Sequence, residues 1–466
     1  MNVVFFSSEV YPFAKTGGLG DVCGSLPLAL EKIGVNVAVV LPGYRCVGQA
    51  KYPIAQLEDG ITRAIIGNNI HVYFIDRQDY YDREGLYGDQ SGDYKDNLER
   101  FGYFCNQALK LIKQVAFRPD IIHCHDWQAA LIPVILKEKY KADPLFEKTK
   151  SILTIHNLAF QGIFPLEEFT KLQLDEQLIR TKGFEFHGRI NLLKAGIQCS
   201  DRVTTVSPNY AREIQTKGLG CGLEEVLKKR HDVTGILNGI DQQQWDPDKD
   251  RHIAQKYNRR DYSGAKARNK SQLQKLLLLE AREDVPLFGF VGRVTQQKGM
   301  ALILGSAKEL IQMPAQFVFL GLGEERFTKE LEDITKSYPE KFAARLEFNE
   351  PLGHQIYAGS DYFLMPSEFE PCGLSQMISL RYGTVPIVYK TGGLADTVKS
   401  FSALHRDGNG FVFTRYDQKS FLAAVKKALA AYADGVSRQR LCQNAFASDF
   451  SWERSARQYQ ELYRCA

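Results

Sequence analysis

Short apolar, β-branched runs recur along the chain, separated by stretches with helical spacing. The runs at 2–8 ("NVVFFSS"), 36–42 ("NVAVVLP"), 70–76, 120–125 and 151–156 are continuously apolar rather than alternating. That is the mark of strands in a parallel sheet covered on both faces. Helical patterns such as 97–115 fall between them, and strand–helix alternation predicts a doubly wound sheet. The pattern restarts after a polar, proline-containing stretch at 241–250 ("DQQQWDPDKD"). Further strands are predicted at 286–294, 315–323, 361–367 and 384–390, with helices over 295–311 and 419–432. The predicted fold class is α/β, with two Rossmann-like doubly wound domains and a hinge near 241–250. The boundaries expected are 1–245, 246–448 and a closing segment at 449–466.

Two nearly identical loops punctuate this pattern: "KTGGLGD" at 15–21 and "KTGGLAD" at 390–396. Each follows an apolar strand and leads into a helix. Ligands of open α/β sheets bind beyond the carboxyl ends of the strands, at helix N-termini. Gly17–Gly18 and Gly392–Gly393 are therefore expected to take positive φ and let the backbone approach a ligand closely. One such loop on each domain suggests a cleft with two anion-binding walls. Neither loop is a dinucleotide fingerprint or a P-loop.

Composition narrows the class. With 466 residues the chain is too long for one core. Apolar residues at 44% and charged residues at 24% are ordinary for a globular protein. A net charge of +4 gives no basic stripe of the kind nucleic-acid binders carry. Nine scattered cysteines without CxxC spacing read as reduced thiols, so a cytoplasmic protein without a disulfide framework is expected. No apolar run reaches the roughly 20 residues that span a bilayer, and no membrane or nucleic-acid partner is expected.

Several stretches carry candidate chemistry. "VGRVTQQKG" places Arg293 and Lys298 at a strand end and a predicted helix start, where two cations suit a diphosphate. "IIHCHDWQAAL" holds His123, Cys124, His125 and Asp126. Strand alternation sends the two histidines one way and the cysteine the other, so a strand end delivering His125 and Asp126 is favoured over a metal cluster. "TIHNLAFQG" likewise sets His156 and Asn157 at a strand end. In "PSEFEPCGLSQ", Pro366 and Pro371 bracket a turn holding Glu370, and a helix start is expected at "CGLSQ". Glu370 there suits sugar or ribose hydroxyls, or simply complements the helix dipole. Asp246–Asp248, "DPD", could hold a divalent ion, but its polar surroundings favour a solvated linker. Aromatics crowd 71–104, where they suit carbohydrate faces or a core.

Taken together, these segments resemble the bacterial glycogen synthase and plant starch synthase family. "SSEVYPFAKTGGLGDV", "HCHDWQAAL", "TIHNLAFQG", "GILNGID", "VGRVTQQKG", "PSEFEPCGLSQM" and "RYGTVPIVYKTGGLADTV" occur in family order and cover nearly the whole length. The resemblance implies the GT-B fold and transfer of glucose from ADP-glucose to the non-reducing end of an α-1,4-glucan or maltooligosaccharide, with retention. It also implies no cofactor and no metal, and a final helix that crosses back to the N-terminal domain.

Residue roles follow from the same resemblance. Lys15, Gly18 and Asp21 belong to the N-terminal loop that meets the donor. His156 lies beside the donor glucose, Asp126 and Asn157 line the same region, and Asn238 sits at the hinge. Arg293 and Lys298 neutralise the diphosphate, and Glu370 stands near the glucose hydroxyls. Cys372, Gly373, Leu374 and Ser375 follow around the sugar and ribose, and Thr391 and Gly392 cap the phosphates. Three positions depart from common family patterns: Ile378, where related retaining enzymes often carry a second glutamate, Glu368 and Tyr389. A double displacement needs a carboxylate nucleophile; no second acid is obvious, so front-face departure of ADP is expected. The alternatives are a non-catalytic glucan-binding homologue and a relative using UDP-glucose. A nicotinamide oxidoreductase is disfavoured, because the chain has no GxGxxG followed by an acid about 20 residues on.

Overall fold

The computed structural model describes residues 1–58 and 60–466. The chain divides into two compact units, Met1–Gly239 with Trp452–Ala466, and Ile240–Ser451. The division therefore falls at 239/240 and 451/452, beside the expected 245/246 and 448/449.

In the first unit the apolar runs pair in parallel. The sheet order is Thr234–Gly235, Arg202–Thr205, Lys150–Ile155, Ile121–His125, Asn2–Phe6, Asn36–Pro42 and Ile70–Ile75. An antiparallel pair, Ile61–Ile66 and Ala55–Glu58, extends one edge. The seven parallel strands thus run 7-6-5-4-1-2-3, the Rossmann order with one strand added. Val3, Val4, Phe5 and Phe6 are completely buried, as expected for a central strand covered on both faces. The chain returns as helix Trp452–Arg464, which buries Trp452, Ser455, Ala456, Tyr459 and Tyr463. That stripe has helical spacing and packs on helix Gly18–Lys32. Ser455 Oγ donates to Leu237 O at 2.6 Å, and Tyr463 OH lies 2.8 Å from His123 Nδ1.

The second unit holds a six-stranded, wholly parallel sheet: Phe342–Arg345, Gln316–Leu320, Leu287–Val291, Tyr362–Met365, Val385–Tyr389 and Phe411–Phe413. This is the order 3-2-1-4-5-6.

Three expectations are corrected. The stretch 241–250 is no solvated linker. Asp246 and Asp250 are buried; Asp246 accepts from Arg381 Nη2 at 2.9 Å, and Asp250 accepts from Tyr382 OH at 2.5 Å and pairs with His354 Nδ1 at 2.7 Å. These acids are spent on anchoring the segment to the second unit. Next, helix 295–311 is broken: residues 295–299 form a turn, and helices Met300–Gly305 and Ala307–Ile311 follow. The cause is Gly299, at φ 82°, where a Cβ would lie 2.2 Å from Pro366 O. Finally, the aromatics of 71–104 are mainly core, with Tyr73, Phe74, Tyr81, Phe101 and Phe104 buried. No helix among the described residues is long and apolar enough to cross a membrane.

Candidate active site

In each sheet the strand order reverses beside the first strand, and there the following loops splay apart and leave a crevice. In the first unit this switch lies between Asn2–Phe6 and Ile121–His125; in the second, between Leu287–Val291 and Tyr362–Met365. Most of the candidate residues gather at these two places, with Asn238 further along the first unit's chain.

In the first unit, residues 7–17 connect strand Asn2–Phe6 to helix Gly18–Lys32. Glu9, 3% exposed, organises this loop. Its carboxylate accepts from Thr16 N at 2.7 Å, Thr16 Oγ1 at 2.7 Å, Gly17 N at 3.1 Å and Tyr87 OH at 2.8 Å. A buried carboxylate without such donors would be strongly destabilising, so the loop and the acid hold each other in place. Lys15 is left exposed at the tip, its Nζ 2.6 Å from Asp21 Oδ1. Gly18 opens the helix and is exposed.

Two adjacent strand ends supply the other wall of this crevice. Asp126, at φ 56°, is raised to about 7, chiefly by burial and also by the charge of Glu9, while the backbone N–H groups of His156 and Asn157 oppose that rise. The His156 N–H donates to Asp126 Oδ1 at 2.7 Å. His125 Nδ1 and His156 Nε2 lie 3.0 Å apart. One must donate and the other accept, so at least the accepting ring is neutral. Burial enforces this: it lowers His156 to about 3 and holds His125 well below its ordinary value. The His123 and His125 rings share one face, 4.2 Å apart. His123 Nε2 is satisfied by Thr154 Oγ1 at 2.6 Å. Asn157 caps its own turn, accepting from Ala159 N at 3.1 Å. Asn238 is buried, and its Oδ1 has no partner among the described residues.

In the second unit, three loops lock together. Lys298 Nζ donates to Glu370 Oε2 at 2.5 Å, and Ser367 Oγ donates to the same oxygen at 3.0 Å. Glu368 N donates to Gln297 O at 2.9 Å, docking the 293–299 turn on the 366–371 loop. Gly393 N donates to both Glu370 O and Pro371 O at 3.1 Å. Arg293 is exposed and turns to Gln297 Oε1 at 3.0 Å rather than to the Lys298–Glu370 pair. Lys298 lies in the turn directly before helix Met300–Gly305, whose N-cap is Gly299, so the helix start falls five residues later than the sequence pattern placed it. Cys372 is buried, Gly373 takes φ 74°, and Leu374 caps helix Ser375–Arg381. Gln376 Nε2 binds Cys372 O at 3.0 Å and Gly373 O at 2.9 Å, fixing that turn. Thr391, buried, caps helix Gly392–Thr397.

The two "TGGL" loops, alike in sequence, differ in packing. Gly392 has φ 41°, and a Cβ on it would sit 1.9 Å from Glu370 O; one on Gly393 would sit 2.1 Å from Cys372 O. Gly17 has φ −154°, which any residue adopts, and nothing lies within 4 Å of its Cβ position. Positive φ, expected at both loops, is therefore found only at the second. Gly392→Ala is expected to destabilise the second unit by about 2–4 kcal/mol. Gly17→Ala is expected to change stability by less than about 0.5 kcal/mol. Urea denaturation of the two variants checks this; equal losses would contradict the packing argument.

Glu9, Ser367 and Gln297 escaped the sequence reading. Glu9 had one signal, an acid set between an apolar strand and a glycine loop. Ser367 and Gln297 had none, because serine and glutamine are unremarkable in loops. Among the described residues no group of three or more His, Cys, Asp or Glu is placed to hold a metal ion.

The family model described as the starch synthase catalytic domain matches residues 2–229, and that of glycosyl transferases group 1 matches 279–447. The chain is 44% identical to glycogen synthase 2 of Geobacter metallireducens, over 100% of this chain and 99% of that protein. It is 40% identical to the glycogen synthase of Alkaliphilus metalliredigens, with the same coverage. Its structure matches that of the catalytic domain of starch synthase IV from Arabidopsis thaliana, bound to ADP and acarbose. The TM-score is 0.90 at 36% identity, covering 99% of this chain and 98% of that one. The whole length of the chain, with its two switch-point crevices, thus belongs to the glycogen and starch synthase family of GT-B glycosyltransferases.

Proposed function

We propose that the chain transfers glucose from ADP-glucose to the non-reducing end of an α-1,4-glucan with retention of configuration. The observation that carries this reading is the Lys298–Glu370 pair at the second unit's switch point. It sets a partly buried cation where a diphosphate is expected and a carboxylate able to accept sugar hydroxyls beside it. The Arabidopsis relative bound to ADP and acarbose supports the same two ligand classes.

In this proposal Arg293 and Lys298 hold the diphosphate, and Thr391 with the Gly392 backbone caps it. Glu370 accepts from glucose hydroxyls, and the backbone from Cys372 through Ser375 follows the sugar and ribose. Lys15, with Gly18 and Asp21, adds a cation from the first unit's loop. Neutral His156 acts as a hydrogen-bond partner of the donor glucose, with Asp126, Asn157 and Asn238 lining its surroundings. In the reaction the bond between the anomeric carbon and the phosphate oxygen breaks, and a bond from that carbon to the acceptor's 4-oxygen forms on the same face. The acceptor proton passes to the departing phosphate. Lys15, Arg293 and Lys298 stabilise the charge that develops there, the term that contributes most in reactions of this kind.

The test is glucose incorporation into glycogen from ADP-glucose and UDP-glucose side by side, with and without EDTA. ADP-glucose is expected to be used at least about tenfold better by kcat/KM, and EDTA to leave the rate unchanged. Preference for UDP-glucose would sink the donor assignment. A tenfold loss in EDTA, restored by magnesium or manganese, would sink the metal-free mechanism.

A further inference from the structure

The second unit carries a cavity of about 490 Å³ at the end of its sheet opposite the Glu370 loop. Its lining includes Tyr362 and Val385, the first residues of strands Tyr362–Met365 and Val385–Tyr389. The candidate donor loops follow the last residues of these same strands. Four strand residues separate the two ends by roughly 13 Å, so this cavity is distinct from the donor site.

Its charge is one-sided. Arg259, Arg260, Lys266, Lys270 and Arg438 line it against two acids, Asp361 and Glu283. Asp361 is already used, held by Lys270 Nζ at 2.7 Å and by the Leu287 N–H at 2.9 Å. Lys266 is also engaged, donating to Thr384 Oγ1 at 2.8 Å and to two backbone carbonyls. The guanidinium groups of Arg259 and Arg260, however, make no ion pair or side-chain hydrogen bond among the described residues. Arg438 is stacked over the Tyr432 ring at 4.8 Å, which fixes its position without consuming its donors. Three guanidinium groups facing one uncommitted carboxylate do not suit a neutral glucan. They match a phosphoryl group, whose oxygens accept paired N–H donors from arginine.

We infer that this cavity is a second ligand site, taking a small phosphate-bearing anion held by Arg259, Arg260 and Arg438, with the Tyr262 and Tyr432 rings flanking its organic part. A sugar phosphate or a nucleoside monophosphate would share this chemistry, and a free polyphosphate would share its phosphoryl part alone.

The test is isothermal titration of the full chain with a hexose 6-phosphate, AMP and inorganic pyrophosphate. It uses the Lys298→Ala variant, in which the proposed donor site is impaired. At least one probe is expected to bind with one equivalent. Adding Arg259→Ala and Arg438→Ala is expected to weaken it about tenfold or more. All three arginines are exposed, so these changes should leave the fold intact, which a thermal melt checks. The probe bound most tightly identifies the source of the phosphate. Affinity unchanged by the arginine substitutions, or no binding to Lys298→Ala, would overturn the site. Full synthase activity in Lys298→Ala would instead defeat the donor-site reading and leave arginine-dependent binding standing.

Discussion

Lys298→Ala is expected to lose on the order of 10³-fold in kcat or more with ADP-glucose and glycogen. The side chain is only 19% exposed, and a cation there acts through a lower effective dielectric than in bulk water. The same substitution has a structural effect that must be separated from the catalytic one. It leaves the Glu370 carboxylate, 7% exposed, with Ser367 as its remaining side-chain donor. Breaking one half of a buried pair costs about 3–5 kcal/mol when burial is complete; partial exposure makes about 2–3 kcal/mol the reasonable expectation here. The double variant Lys298→Ala/Glu370→Ala removes the unpaired charge and should regain much of that stability while remaining inactive. Activity that returns together with stability would show that Lys298 serves only to neutralise Glu370.

Lys15→Ala is expected to lower kcat by about 10²–10³-fold, and Lys390→Ala by less than about tenfold. The two lysines occupy equivalent places in the repeated motif, yet their loops differ. The second loop is packed against the backbone of Glu370 and Cys372, and its unit already supplies Arg293 and Lys298. Lys390 is exposed and adds a charge to a site with two others. Lys15 belongs to the loop held by Glu9, where it is the cation this reading assigns to the leaving phosphate. A donor engaged mainly as charge develops raises kcat rather than affinity. Comparable losses in the two variants, each verified as folded, would refute the asymmetry.

Much of this was legible in the sequence wherever the signal was a long apolar run. Strands such as Asn36–Pro42 and Val385–Tyr389 match their predicted runs closely, because a central parallel strand must be apolar on both faces. Short strands at or next to the sheet edges escaped. Phe342–Arg345 and Arg202–Thr205 are four residues long and partly polar, and Phe411–Phe413 is three. Strand Ala55–Glu58 is exposed throughout, so burial leaves no mark on its composition. At the candidate site, charged residues were visible as motifs, but their pairing was not. Lys298 and Glu370 stand 72 positions apart, and no local pattern encodes that distance. Gly17 and Gly392 were indistinguishable for a related reason, since the cause of Gly392's conformation is the carbonyl of a residue on another loop.

The return of helix Trp452–Arg464 to the first unit also sets an order of assembly during synthesis. The first unit's sheet has left the ribosome's decoding centre by residue 239, but the helix that covers part of it is translated only after the 212 residues of 240–451 (451 − 239). At about 5–20 residues per second this is a delay of roughly 10–40 s. During that interval the face of helix Gly18–Lys32 that Trp452 and Tyr459 will cover stays open, and His123 lacks its Tyr463 partner. Domain-by-domain folding from the N-terminus is therefore interrupted here: the unit begun first is finished last. The nascent chain must carry a half-covered apolar surface while the second unit is made, which marks this interval as the one in which a holding chaperone has most to bind.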